Sequence, residues 1–162
     1  MTTFSSDTVV PEEPKTPPKS ARRRAREFVL QGLYQWRVGG NDAAAIEAYM
    51  PEMDDFAKAD REFFVGAFRG VIAQSEKLSE QIRAHIDRDF SELSPIEASI
   101  LLMGAFELTH HLETPYRVII NEAIELTKSF GGTDGHKYVN GVLDKVAALA
   151  RPEEFEARKK GR

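Results

Sequence analysis

The feature that most constrains the fold is a series of helix start and stop signals along the chain. At residues 94–97 the sequence SPIE supplies a capping serine, a proline at the first helical position and a glutamate three residues after the serine. A helix is predicted from there to about His111. Further start signals stand at Ser20, at Asn41 or Asp42, at Asp60, at Thr114, and at Thr133 or Asp134, and stop signals stand at Gly39, Gly40, Pro51, Gly131 and Pro152.

Between these signals, apolar residues recur at steps of three and four, which is the spacing of one helix face. The segment that begins at Asp60 is the longest example, and a bend is expected near Ser75 or Ser79. No segment of useful length alternates with a period of two, so no sheet is predicted. The predicted class is all-α with six to seven helices and a subdomain division near residues 87–93.

Length and composition exclude several classes of protein. A chain of 162 residues suits one domain, and the absence of cysteine excludes disulfides, thiolate catalysis and cysteine-ligated metals. The longest apolar run, residues 98–106, is about half of what a membrane-spanning helix needs. The N-terminal segment also lacks the pattern of a secretory signal, so we expect a cytoplasmic protein with no membrane partner.

The two ends of the chain differ from its middle. Residues 1–19 contain four of the eight prolines and no apolar periodicity, which predicts a disordered tail, and residues 153–162 form a charged end that is expected to fray. Residues 1–26 hold six Lys/Arg and three Asp/Glu, a net charge of +3, whereas the remaining sixteen Lys/Arg and twenty-three Asp/Glu give −7. A basic start on an acidic body suggests two partners of different kinds, one of them a nucleic acid.

The basic start lies in the sequence SARRRAREF, residues 20–28. On a helical wheel, the predicted core stripe is Ala21, Ala25, Phe28, Gly32 and Trp36, and the predicted solvated face is Arg23, Arg26, Leu30, Tyr34 and Arg37, with Arg22 and Arg24 beside it. Guanidinium groups and an aromatic ring on one face are the components that grip single-stranded RNA. A merely solvated face remains the alternative, although cations at a helix N-terminus are unfavourable for stability alone.

The helix that starts near Thr114 repeats this pattern with negative charge. Its predicted buried side is Ile119, Ala123, Leu126, Thr127 and Phe130, and its predicted outward side is Val118, Glu122, Glu125 and Ser129. Such an acidic face either docks a basic protein or is simply solvated.

Catalysis and metal binding find little support in the sequence. The adjacent His110 and His111 point about 100° apart on a helix and cannot clamp a metal from one face. No glycine loop that cradles phosphate is present, since FGGTDG (residues 130–135) joins two helices. We therefore predict no catalytic residue, no cofactor and no metal.

Three motifs together resemble the NusB family of bacterial transcription antitermination factors. They are ARRRARE (residues 21–27) with the following LY-W, PYRVIINEAIELTKSFG (residues 115–131) and HKYVNGVLDKV (residues 136–146). The resemblance covers about residues 20–152 and implies two small packed helical bundles, about 20–90 and 91–152. It also implies a protein without enzymatic activity that pairs with the ribosomal protein NusE and binds boxA RNA of ribosomal RNA transcripts. With other Nus factors, such a protein keeps RNA polymerase termination-resistant.

The resemblance also assigns residues by position. It implies RNA binding by Arg22, Arg23, Arg24, Arg26, Tyr34, Asp134, Lys137 and Tyr138, and NusE binding by Glu97, Tyr116 and Glu122. Asn121, Asn140 and Gly141 are interpreted as structural, and Gly141, which costs about 1 kcal/mol against alanine inside a helix, is expected to admit a neighbouring helix. Two alternatives stay open, namely an RNA-binding module related to ribosomal RNA cytosine methyltransferases and a helical adaptor that binds only protein.

Overall fold

The computed structural model describes residues 19–132 and 134–160, and all regular secondary structure in those ranges is helical. The eight α-helices of this part of the chain are α1 (Ala21–Gly39), α2 (Ala43–Tyr49), α3 (Arg61–Ala73), α4 (Ser75–Arg83), α5 (Pro95–His110), α6 (Tyr116–Phe130), α7 (Gly135–Ala150) and α8 (Pro152–Lys160). Single 3₁₀ turns lie at Met50–Glu52, Phe56–Lys58 and Phe90–Glu92. The all-α prediction is confirmed, with eight helices instead of six or seven. The predicted tail lies outside the described residues except for Lys19.

Local capping explains where most of these helices begin. Oxygen atoms of the Ser20, Asp42, Asp60 and Ser94 side chains accept hydrogen bonds from backbone amides three residues later. At the other end of α1, Gly40 adopts a left-handed conformation with φ of 66°, which favours glycine. For α6, the helix begins at Tyr116 after Pro115, one residue later than a cap at Thr114 implies.

The long helix expected after Asp60 is divided in two. Gln74 leaves helical geometry with φ of −113° and ψ of 20°, so that α3 ends and α4 begins around it. The break lies next to Ser75, where a bend was expected.

The core is centred on α5. All eleven residues from Ala98 to Leu108 on this helix are buried, since α1, α3, α4, α6 and α7 pack around it. This apolar run is therefore a helix that other helices surround. Within the described residues, no helix combines the length and the apolar character that crossing a bilayer requires.

Helix α1 is buried on two sides, because it packs on α3 and also along α5. Arg26 and Leu30 are only 4% and 3% exposed, so their predicted place on a solvated face is wrong. Ala21 is exposed, so the predicted core stripe is wrong at its first residue, whereas Trp36 is partly buried and packs against the core. A helical wheel assumes one packing partner, and α1 has two.

As far as Lys160, the last described residue, the charged C-terminal end does not fray but forms α8. The ring of Phe155 on α8 lies 5.4 Å from the ring of Tyr116, and the Tyr116 amide donates to the Glu154 carboxylate at 2.9 Å. Buried Arg151 anchors the start of α8 by donating to the backbone oxygens of Glu107, Leu108, His111 and Thr114. These contacts fasten α8 to the end of α5 and the start of α6.

The helices fall into two groups that share α5. Helices α5, α6 and α7 pack on one another, and α1 packs on α2 and α3. The division into residues 20–90 and 91–152 stays a prediction, because α1, α3 and α4 each contact α5 across it.

Candidate nucleic-acid interface

The arginine cluster consists of Arg22, Arg23, Arg24 and Arg26 at the start of α1. It borders a groove of about 730 Å³ along this helix. Arg24 and Tyr34 line it, together with Tyr49 and Phe130 from elsewhere in the chain. The three aromatic residues are 39%, 53% and 49% exposed, respectively. Phe130 was predicted to be buried, and that prediction is wrong. Tyr49 had no sequence signal, because its position beside Tyr34 depends on how α2 folds back on α1.

Arg22 lies at the start of α1 and keeps 43% of its side chain exposed. Its guanidinium lies 4.8 Å from the centre of the Phe63 ring and 3.4 Å from the Asp60 carboxylate. The neighbouring Lys19 pairs with Glu27 at 2.8 Å. The cluster therefore presents Arg22 and Arg24 to solvent.

Arg23 is bound to Glu122 on α6. Its Nε and Nη2 atoms donate to the two carboxylate oxygens at 3.0 and 2.8 Å. These hydrogen bonds hold the pKa of Arg23 above its ordinary value, and the partial burial that opposes them is the smaller effect. Glu122 was expected to face outward, but its side chain is only 17% exposed and is already paired.

Arg26 forms a second bidentate pair, fully inside the protein. Its Nε and Nη2 atoms donate to Glu107 on α5 at 2.8 Å each, and the side chains are 5% and 3% exposed. Burial alone raises the pKa of Glu107, but the two hydrogen bonds and the positive charge of Arg26 outweigh burial and leave this pKa below its ordinary value. The Arg26 guanidinium is enclosed in this pair, so its contact with RNA stays a prediction that its burial does not favour.

The two pairs form one continuous network of charges. Arg26 Nη1 lies 3.7 Å from the Glu122 carboxylate, and His111 Nδ1 lies 3.8 Å from that of Glu107. Arginine and glutamate thus alternate from the surface at Arg23 to the buried end of α5. This network fixes α1 against α5 and α6. It also determines which arginines of α1 stay available to bind a ligand.

The predicted residues at the start of α7 lie in a second basic region. Asp134 and Lys137 are exposed, with 3.9 Å between their charged groups. The Tyr138 ring is partly buried and lies 4.8 Å from the guanidinium of Arg88, which also donates to Asp87 at 3.1 Å. Arg88 was not predicted, because its contact joins the α4–α5 connection to a helix remote in sequence.

A further contact connects α1 to this second region. The guanidinium of Arg37, near the end of α1, lies 5.2 Å from the centre of the Phe90 ring. Phe90 follows Arg88 by two residues in the same connection. The structure therefore joins the exposed side of α1 to Tyr138 through Phe90 and Arg88.

The three predicted partner residues do not form one open face. Tyr116 is 4% exposed, because α8 covers it with Phe155. Glu97 is partly buried, and its carboxylate lies directly against Gly135 at the start of α7. Glu122 is paired with Arg23. No group of three or more His, Asp or Glu side chains that could hold a metal occurs among the residues that the structure describes.

Comparisons with known proteins agree along nearly the whole chain. Residues 23–148 match the model of the NusB family. A transcription antitermination protein NusB from Dechloromonas aromatica is 74% identical over 162 residues, covering 100% of this chain and 99% of that protein. A second, from Ralstonia nicotianae, is 52% identical over 149 residues and covers 92% of this chain and 96% of that protein. Both relatives are named for antitermination and not as methyltransferases.

Solved structures share the fold. The NusB of T. maritima is similar with a TM-score of 0.74 at 28% identity, over 86% of this chain and 99% of that one. A chain in the crystal structure of antitermination factors NusB and NusE in complex with double-stranded RNA is similar with a TM-score of 0.66. At 20% identity over 78% of this chain and 96% of that one, this second likeness shows the fold alone.

Proposed function

The chain belongs to the NusB family of transcription antitermination proteins, and on that premise we propose that it pairs with the ribosomal protein NusE and binds boxA RNA. The pair acts on ribosomal RNA transcripts in the bacterial cytoplasm. Together with other Nus factors, it keeps RNA polymerase resistant to termination. The chain contributes binding surfaces and no catalytic step.

The observation that carries this proposal is the groove along α1, which a partly exposed arginine, Arg24, and an exposed aromatic residue, Tyr34, both line. A guanidinium can neutralise a phosphate while a neighbouring aromatic ring stacks on an unpaired base. Arg24 opposes the helix dipole at the start of α1 and, unlike the other three arginines there, has no carboxylate partner among the described residues, so folding alone does not favour it. Binding of a polyanion accounts for both features.

We assign RNA contacts to seven of the eight predicted residues. Arg22, Arg23, Arg24 and Tyr34 supply the α1 side, and Asp134, Lys137 and Tyr138 supply the α7 side. Arg26 is left out because its donors are bound to Glu107, and it acts instead by fixing the position of α1. Arg23 contributes only the part of its guanidinium that Glu122 leaves exposed.

We assign NusE binding to Glu97 and Glu122, whose side chains keep part of their surface accessible. Tyr116 is assigned to holding α8, since Phe155 covers its ring. A basic partner is favoured by the negative charge of the chain beyond residue 26. Glu122 is then the position where the protein-binding side meets the RNA-binding side.

The test is a titration of fluorescently labelled boxA RNA with the protein, alone and with NusE, at several salt concentrations. Weak binding is expected alone and clearly stronger binding with NusE. Arg24→Gln should weaken binding several-fold and reduce the slope of log affinity against log salt by about 0.7, the value for one phosphate contact on single-stranded nucleic acid.

A matched control is Arg69→Gln, which removes an exposed arginine on α3 that is paired with Glu47 on α2. This variant should bind boxA RNA as the unchanged protein does. Equal binding of a scrambled RNA would contradict boxA recognition. An affinity that does not change with NusE would contradict the heterodimer.

A further inference from the structure

Gly141 lies in the middle of α7, and no other atom packs against the place where its side chain would be. It is exposed, and a Cβ atom built at this position meets no atom within 4 Å. The expected reason for this glycine, the close approach of another helix, is therefore wrong. Glycine is a poor helix former, so its place inside α7 is not explained by folding.

Gly141 lies at the edge of a cavity of about 490 Å³ between α7 and the end of α4. Lys137 and Lys145 border the same cavity, and the three residues recur at intervals of four along the helix. They consequently share one face of α7, with the lysines about 12 Å apart along the axis and the glycine midway. His85 and Asp87 line the opposite wall.

The charge at this cavity is positive. Lys137 and Lys145 are exposed, and Arg88 stands at the rim with its guanidinium over the Tyr138 ring. The Asp87 carboxylate accepts a hydrogen bond from Arg88 at 3.1 Å, and Asp134 lies 3.9 Å from Lys137. Lys145 has no carboxylate within ion-pairing distance among the described residues. A polyanion is the ligand that this arrangement favours.

We propose that this cavity binds the sugar–phosphate backbone of single-stranded RNA, with Lys137 and Lys145 on phosphates and the backbone of α7 at Gly141 against the sugar–phosphate chain between them. A side chain at position 141 would fill the space between the two lysines, whereas glycine lets a ligand approach the helix backbone. The inference rests on the proposed function, because it extends the RNA path beyond Tyr138. Its new elements are Gly141, Lys145 and Arg88.

Continuity with the α1 side supports RNA over a protein partner. Arg37 contacts Phe90, and Arg88 in the same connection contacts Tyr138, which also lines this cavity. These contacts connect the end of α1 to the cavity and leave Arg37 and Arg88 exposed, so that both cations can meet the phosphates of an RNA strand. A basic protein partner is disfavoured at this cavity, because its three cations outnumber the two carboxylates that pair with Arg88 and Lys137.

The experiment compares Gly141→Gln with Gly66→Gln in the full-length chain. Gly66 is also exposed inside a helix, α3, and also has no atom within 4 Å of an added Cβ, so it is a matched control. Both variants should raise the midpoint of urea unfolding, because glutamine is a better helix former than glycine. In the presence of NusE, Gly141→Gln should weaken boxA RNA binding at least about five-fold, and Gly66→Gln should leave it within about two-fold.

A third variant, Lys145→Gln, should reduce the salt slope of RNA binding by about 0.7. Binding of NusE without RNA should be the same for Gly141→Gln as for the unchanged protein, and a loss there would assign the cavity to protein and overturn the proposal. Unchanged RNA binding by both Gly141→Gln and Lys145→Gln overturns the cavity site but leaves the proposed function standing. Failure of the unchanged protein to bind boxA RNA with NusE overturns both.

Discussion

At the scale of single residues, the pair of Arg26 and Glu107 shows how a residue in an RNA-binding motif acquires a structural role. Both side chains are almost completely buried, and each uses two atoms to bind the other. A buried ion pair adds little net stability over apolar residues, but loss of one partner leaves an uncompensated charge. The arginines of the motif are therefore not equivalent, although they stand together in the sequence.

This difference predicts the outcome of one substitution. Arg26→Met should lower the free energy of unfolding by about 3–5 kcal/mol, because it leaves the Glu107 carboxylate buried and unpaired. The double variant Arg26→Met with Glu107→Leu should recover most of that loss. Urea unfolding measures both effects. A double variant as unstable as the single one would contradict the explanation.

Acid unfolding provides the control for this prediction. The folded-state pKa of Glu107 is depressed, so its contribution to stability is present above the unfolded value of about 4.3 and is lost as the pH falls through the folded value. Below about pH 4, the unchanged protein should lose stability more steeply than the double variant, which has no carboxylate at 107. The double variant should also keep boxA RNA affinity, since Arg26 makes no contact with RNA in our assignment.

At the scale of secondary structure, the most local features were the most predictable. The capping side chains Ser20, Asp60 and Ser94 act within three residues, so sequence spacing was sufficient to place the starts of α1, α3 and α5. The faces of α1 were not predictable, because burial depends on both α3 and α5. Helix α8 was missed for the same reason, since its stability depends on Tyr116 and on Arg151.

Arg151 allows this dependence on tertiary contacts to be measured. It is buried and donates to four backbone oxygens at the end of α5 and in the turn that follows. Arg151→Met should lower the free energy of unfolding by about 3 kcal/mol or more, since buried acceptors lose a charged donor. Phe155→Ala, which removes only packing of α8 on Tyr116, should cause a smaller loss. Thermal unfolding would contradict this order if Phe155→Ala were the less stable variant.

At the scale of the whole molecule, the Arg23–Glu122 ion pair connects the two proposed binding surfaces. Arg23 was predicted to bind RNA and Glu122 to bind NusE, but in the structure the two side chains bind each other. Both residues were predictable from the sequence but their pairing was not, because they lie on helices that meet only in the folded chain. The exposed groove residues Tyr49 and Phe130 escaped prediction for the same reason.

This ion pair predicts coupling between NusE and RNA. A cation of NusE that binds Glu122 weakens the hold of this carboxylate on Arg23 and makes the guanidinium available to phosphate, so each partner should strengthen binding of the other. Glu122→Gln should therefore bind RNA more tightly than the unchanged protein when NusE is absent, and should gain less when NusE is added. RNA titrations with and without NusE measure the difference. An equal gain in both proteins would show that Glu122 does not couple the two partners.

The long sequence separation within the charge network has a consequence for synthesis. Arg26 pairs with a residue 81 positions later, and Arg23 with one 99 positions later. At a translation rate of about 5–20 residues per second, Arg26 and Arg23 wait roughly 4–20 s after they are made before Glu107 and Glu122 are synthesised. The ribosome thus produces the arginine-rich helix first, and its docking on α5 and α6 has to wait until those helices are made.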